Sequence, residues 1–297
     1  MKTITFLKDN DIDVDAGIEL LGDEEVYNSM LEEFQRNFPK KIEDIEKSYE
    51  AADMPNYAIF VHSLKSDSKY FGFTKLAELA SNHEEQAKAN NILFVRNNYN
   101  ALMSEINEIK NTINSYFAEE EEEPIYEELE SLDEEDLPIK KEDSEESKKE
   151  EKKEEDKPVP EVVEAPEALY HDDIILIADD SDIIRAFVKK LFDIPYELVF
   201  AGNGEEAIEV IKEHENDDKI GAILLDLNMP KIDGFGVLDY LKEHGLVDKM
   251  PVTIVSGEQD ANAVKKVFDY QIVDMLNKPF NEEKIKVAIE KTIASKK

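Results

Sequence analysis

Fifty-one consecutive positions near the middle of the chain, from Ala118 to Ala168, hold 24 acidic and 7 basic residues. The stretch opens on five glutamates (119–123), passes through mixed Glu/Lys blocks such as Lys148 to Asp156, and closes on prolines at 158, 160 and 166. Such a composition cannot bury enough apolar surface to offset the entropy of ordering it, and like-charge repulsion extends it. It is read as a disordered acidic linker (118–168). Two foldable regions are left, 1–117 and 169–297, each of ordinary domain length. Nearly half of the net charge of -36 lies in the linker. A chain this acidic repels nucleic acid and anionic lipid unless it carries a basic patch, and none is visible. With no cysteine, a disulfide scaffold and Cys-ligated zinc or iron-sulfur sites are excluded. No run approaches the roughly 18 to 20 consecutive apolar residues of a membrane span, and the first residues lack a signal-peptide apolar region. The expectation is a soluble, cytoplasmic protein with no nucleic-acid partner and no membrane insertion.

The N-terminal region reads as an all-α helical bundle. Apolar residues recur at spacings of three and four in Val26, Met30, Leu31 and Phe34, in Ile42, Ile45 and Tyr49, and in Phe94, Leu102, Ile106, Ile109 and Ile113. Pro39 fits a first helical turn, and Asp53 and Pro55 mark the next boundary, so short helices fold back on one another. In the helix from about Asn56 to Tyr70, the residues Tyr57, Val61, Leu64, Ser68 and Phe71 form a core stripe. His62, Lys65, Ser66 and Lys69 form a second stripe beside it, on the outer flank. Two ammonium groups on that face lower the proton affinity of the imidazole and would stabilise a phosphoryl group on the ring. Taken alone, the same pattern also describes an ordinary solvated surface. His83 is assigned to the surface.

The string from His62 through Ser63, Leu64 and Lys65 to Gly72 resembles the histidine-phosphotransfer (HPt) signature, with Leu at plus two, Lys at plus three and Gly at plus ten from a phospho-accepting His. The approach from Asp13 to Gly17 and from Gly22 to Tyr27 is similar to the entry of that family. The resemblance implies a four-helix bundle with His62 as phosphohistidine and Lys65 beside it. It departs at plus four, where the family usually has Gly and this chain has Ser66.

From Asp173 onward, short apolar runs alternate with amphipathic segments. Ile174–Ala178, Leu198–Ala201, Ala222–Leu225, Val252–Val255 and Ile272–Leu276 read as strands, with helices starting near Asp182, Glu205, Phe235, Asp260 and Asn281. Five such pairs argue for an α/β doubly wound five-stranded parallel sheet, with ligands beyond the carboxyl ends of the strands. Polar residues stand at those ends: Asp179 and Asp180 after the first strand, Asp226 after the third, Ser256 after the fourth and Lys278 after the fifth. Three converging carboxylates require neutralisation, and an oxygen-only donor set suits a hard divalent ion such as Mg2+. Asp226 can then serve as nucleophile toward phosphorus, while Lys278 and Ser256 grip the phosphoryl oxygens.

This constellation resembles the receiver domain of two-component response regulators. The matching strings surround Asp179-Asp180, Asp226 with Pro230 and Gly234, Ser256, and Lys278-Pro279. The resemblance implies phosphorylation at Asp226 and Mg2+ held by Asp179, Asp180, Asp226 and the main-chain carbonyl of Asn228. It further implies a cis peptide before Pro279, and a phosphoryl lifetime tuned by Asn228 and Glu258. Met275 stands where receivers commonly carry Tyr or Phe, and Gln271-Ile272 replaces the usual Gly-Ala.

A His acceptor and an Asp acceptor on one chain suggest phosphorelay between His62, Asp226 and a separate histidine kinase or hybrid kinase acting in trans, with other receiver or HPt domains as further partners. No glycine-rich phosphate loop for ATP is present and no cofactor besides Mg2+ is called for, so no enzyme activity is expected beyond phosphotransfer and autodephosphorylation. Two alternatives remain: a phosphorylation-dependent scaffold with an inactive HPt module, or a Mg2+-dependent aspartyl phosphatase. The latter would need a second acid at position 228.

Overall fold

Residues 2–118, 173–191, 196–257 and 261–296 are described by the computed structural model, with 261–264 as backbone only. The linker reading for 119–168 and the lifetime position Glu258 lie outside the described residues.

Short polar side chains define where the N-terminal helices begin. Two short helices, α1 (Thr5–Lys8) and α2 (Val14–Leu21), precede four long ones: α3 (Glu24–Glu50), α4 (Met54–Phe71), α5 (Thr74–Lys88) and α6 (Ile92–Phe117). Asp13, Asp23, Asp53 and Asn91 each accept a hydrogen bond from the backbone N–H three residues on, which satisfies donors that the first turn leaves open. α4 ends at Gly72, whose φ of +73° is left-handed. A Cβ there would lie 2.0 Å from the Asp13 carbonyl oxygen, and Asp13 N–H donates to the Gly72 carbonyl (3.0 Å). The glycine ten positions after His62 thus lets the entry segment cross the end of α4.

The long helices form the expected bundle around Phe34, Phe38, Phe71 and Phe73. One boundary differs from expectation. α3 continues through Pro39 instead of starting there. Phe34, Phe38, Ile42 and Ile45 are buried on one stripe either side of it, while Pro39 itself is exposed. Packing of that stripe outweighs the lost backbone bond, and the carbonyl that Pro39 leaves open can face water.

The C-terminal part alternates strictly: β1 (Ile174–Ala178), α7 (Asp182–Lys190), β2 (Glu197–Ala201), α8 (Gly204–His214), β3 (Ile220–Leu225), α9 (Gly234–Glu243), β4 (Val252–Ser256), α10 (Ala261–Phe268), β5 (Asp274–Asn277) and α11 (Glu282–Ile293). All strands are parallel, in the order β2-β1-β3-β4-β5. Alternate residues of β1 enter different cores. Ile175 and Ile177 pack with Phe187 of α7 and with Ile285 and Ile289 of α11, whereas Leu176 and Ala178 pack with Ile211 of α8 and Val237 of α9. β5 starts two residues later than the sequence suggests, after Gln271 takes a positive φ of 58°.

The helical bundle and the α/β part belong to one compact unit. The apolar cluster of the bundle runs on into the α7/α11 side of the sheet, and α3 lies against α7.

Candidate functional site

The strand order reverses between β1 and β3, which opens a crevice at their carboxyl ends. Asp179 and Asp180 leave β1 there and Asp226 leaves β3. One oxygen from each of the three carboxylates lies within 4.8 Å of the others. The backbone holds them firmly. Asp226 N–H donates to the Ala178 carbonyl (2.8 Å), and Gly234 lets the following loop close over the main chain of Asp226, since a Cβ there would stand 2.3 Å from its carbonyl oxygen. Lys278, preceding the cis Pro279, reaches Asp226 Oδ2 at 2.6 Å and Asp179 Oδ2 at 2.7 Å. Asn228 N–H donates to Asp226 Oδ1 (3.2 Å) and Ser181 N–H to Asp179 Oδ1 (3.0 Å). Ser256 is buried at the end of β4.

One ammonium does not balance three acids. Burial, then the competition between the charges of Lys278 and Asp226, pushes Asp179 up to about 6. Burial and the charges of Asp226 and Asp179 raise Asp180 well above the usual carboxylate range. Burial works to lower Lys278, but Asp179, Asp226 and Asp180 overcome it and keep the ammonium charged. An all-oxygen, charge-rich, converging donor set of this kind fits a hard divalent cation.

The second candidate site is on α4. His62 is not on an outer flank as its spacing suggested: it is 1% exposed. The unbroken stretch from His62 to Ser68 is buried, because α5 covers one side of α4 and the receiver another. His62 Nδ1 is 2.5 Å from Glu84 Oε1, and Lys65 donates to Glu84 Oε2 at 2.5 Å. Lys88 adds a further ion pair to Glu84 (2.9 Å). Burial works to raise the carboxyl of Glu84, but the hydrogen bond and charge of His62, with Lys65 and Lys88, hold it well below the usual range. A carboxylate can only accept, so Nδ1 carries a proton, and Nε2 is the ring nitrogen left without a hydrogen-bond partner. Ser66 is buried beside it, and burial followed by the charge of Lys65 lowers Lys69.

His83 is also buried, not at the surface. Its Nδ1 is 2.7 Å from the Tyr57 hydroxyl, Phe94 stands edge-on to the ring, and burial lowers its proton affinity. Sequence reasoning missed Glu84 altogether. The signal was present in the α5 stripe of Leu76, Ala80 and Ala87, where His83 and Glu84 interrupt an apolar series.

Between the two sites runs a polar seam. Ser181 Oγ donates to Asp67 of α4 (2.5 Å), and Lys41 of α3 reaches the other oxygen of Asp67 (2.8 Å). Phe280 N–H donates to the Tyr70 hydroxyl (3.1 Å), and the Tyr70 ring packs on Phe187 and Phe280. A cavity of about 190 Å³ in this seam is lined by Lys41, Ser63, Asp180 and Pro230 among others. Met275, where an aromatic switch residue is common, is half-buried on the far side of the sheet.

An Hpt domain model matches residues 29–112 and a response regulator receiver domain model matches 175–290. The chain therefore carries one domain of each kind. Over 120 residues it is 32% identical to the "Probable C4-dicarboxylate response regulator DctR" of Priestia megaterium, a match covering 39% of this chain and 50% of that protein. It is 29% identical over 124 residues to the "Sensor histidine kinase CheAY" of Helicobacter pylori, covering 41% of this chain and 15% of the kinase. The matches thus span about half of the regulator and a smaller share of the kinase. Among solved structures, the receiver domain of Francisella response regulator 1452 is 25% identical, covering 42% of this chain and 99% of that one, with a TM-score of 0.37. Among the described residues, no helix is long and apolar enough to cross a membrane.

Proposed function

We propose that the chain is a two-component phosphorelay protein that moves a phosphoryl group between His62, Asp226 and the acceptors of separate proteins. The observation carrying this reading is that an imidazole with its Nδ1 committed to Glu84 and a carboxylate gripped by Lys278 occur in one compact unit. The domains are taken as 1–117 and 169–297, joined by an acidic tether at 118–168.

In the direction from His to Asp, a carboxylate oxygen of Asp226 attacks phosphorus, the P–N bond breaks, and its electron pair returns to Nε2 of His62. In the reverse direction Nε2 attacks the acyl phosphate and the Asp226 oxygen leaves with the bonding pair. The ring becomes cationic as the P–N bond forms, and Glu84 stabilises that charge without taking the Nδ1 proton. Lys278 faces the charge developing on Asp226 and on the transferring oxygens, with Ser256 beside it; Lys65 keeps Glu84 in place. Asp179, Asp180, Asp226 and the Asn228 carbonyl would hold Mg2+, which when bound supplies charge neutralisation of the phosphoryl oxygens. The partners are a histidine kinase or hybrid kinase in trans and other receiver or Hpt domains. Such partners draw on ATP, which supports a cytoplasmic location. A phosphatase is not favoured, because position 228 is Asn and not an acid.

A second reading, a binding scaffold whose Hpt module does not transfer, is favoured by the burial of His62. The two separate in one experiment. Label from acetyl phosphate on Asp226 is expected to reach His62 in the presence of Mg2+, and to be lost in Asp226→Asn and His62→Gln. Label that stays on Asp226, even with a phosphorylated partner protein supplied, would leave the scaffold.

A further inference from the structure

We propose that Lys41, Asp67 and Ser181 form a recognition lock that seats this chain's own receiver on α4, and so sets which receiver is presented to the Hpt domain. The docking stands on contacts alone; the choice of exchange partner rests on the relay reading above.

α4 supplies the carboxylate of this lock. Phe60, Ser63, Asp67 and Tyr70 recur at three, four and three residues, which puts them on one stripe, about a third of a turn from His62. A carboxylate midway along such a stripe is costly to bury unless it is fully paired. Asp67 is completely buried, and its partners come from two sources. Lys41, from the neighbouring helix of the same domain, reaches it at 2.8 Å and also donates to Ser63 Oγ (2.8 Å). Ser181, from the receiver, donates at 2.5 Å. One side of the pairing is therefore built into the Hpt domain and waits for the other.

Ser181 suits the complementary role. It directly follows Asp180 and is the N-cap of α7, where its Oγ accepts from Ile184 N–H (3.1 Å) while its proton goes to Asp67. A small hydroxyl uses both of its capabilities at once. A receiver with an apolar residue at this position would leave Asp67 short of a donor, and one with an acid would place like charges in contact. The apolar half of the seam, Tyr70 against Phe187 and Phe280, adds area with little discrimination, whereas the carboxylate tests the identity of one residue beside the phosphoacceptor.

The occupant is the chain's own receiver, since these contacts form within one compact unit of a single chain. The 54 residues separating Ala118 from Asp173 are long enough to allow it.

The chain has no cysteine, so Ser29→Cys with Lys190→Cys introduces the only thiols, at a point where the Lys190 ammonium meets the Ser29 hydroxyl. A short bismaleimide should link them within one chain, at a rate independent of protein concentration. Ser181→Asp retains a good N-cap but opposes Asp67, and should slow the link by about ten-fold or more. Adding Asp67→Asn, whose amide can donate, should restore most of it. Lys41→Met serves as a second lesion should Ser181→Asp unfold, as judged by circular dichroism. An unchanged rate in these folded variants overturns the lock. A linked dimer whose yield rises with concentration overturns the assignment to the chain's own receiver. His62→Gln should link as fast as the parent, so failure of the relay reading leaves this result untouched.

Discussion

At the scale of single residues, the two proposed acceptors stand in opposite electrostatic settings. His62 is paired with an acid: in the proposed relay Glu84 accepts from Nδ1 and leaves Nε2 to bond phosphorus. In Glu84→Gln the amide can either accept from or donate to Nδ1, so the ring loses its enforced tautomer. Transfer to His62 should slow by on the order of ten- to a hundred-fold with the fold intact, by analogy with carboxylates that orient metal-bound imidazoles. Rapid-quench labelling together with the nitrogen shifts of the ring would separate this effect from a general loss of structure. Asp226 instead sits among too many negative charges. The raised value of Asp179, about 6 against an ordinary 3.8, means that the folded protein holds this proton more tightly than the unfolded chain does. The stabilisation it gives is full below pH 3.8 and is lost as pH rises through 6. A divalent ion competes for the same oxygens. Calorimetric titration should therefore show Mg2+ binding weakening about ten-fold between pH 7.5 and 5, and Mg2+ should raise the melting temperature more at pH 7.5 than at 5.

At the scale of elements, α4 carries His62 and meets the receiver through Asp67 and Tyr70. Its core stripe, from Tyr57 to Phe71, was legible because periodicity reports one buried face. Its other two faces were not, because burial there is imposed by α5 and by the receiver. His62 read as exposed for that reason, and so did His83, whose aromatic cage of Tyr57 and Phe94 comes from two further helices. Gly72 was recognisable as part of a motif, but its physical role, a left-handed cap crossed by the Asp13 carbonyl, depends on a residue nearly sixty positions away. Gly72→Ala should cost about 1–3 kcal/mol in urea unfolding through strain alone, and more where the entry segment is displaced. The strands were easier to read. A β/α alternation places its polar residues at strand ends by topology; the largest shifts are in β3, which begins two residues earlier than its apolar run suggests, and in β5, delayed two residues by the turn at Gln271.

At the scale of the whole molecule, the two domains share an apolar cluster as well as a polar seam. Tyr70 contributes to both, through its ring against Phe187 and Phe280 and its hydroxyl at Phe280 N–H. Tyr70→Ala should destabilise by about 3–5 kcal/mol, as other large core truncations do, and in scanning calorimetry should separate one coupled transition into two. A single transition with an unchanged midpoint would mean that the domains unfold without support from one another. The amino-acid sequence by itself determined the two fold classes and the strand-end polar set of Asp179, Asp180, Asp226, Ser256 and Lys278. These follow from composition, from local periodicity and from a topology that converges strand ends. Only the tertiary structure decided that Glu84 clamps His62, and that Asp67 is buried with Lys41 on one side and Ser181 on the other. Each of those pairings joins residues 22 or more positions apart, and a helical period records which way a side chain faces but not what is brought to meet it.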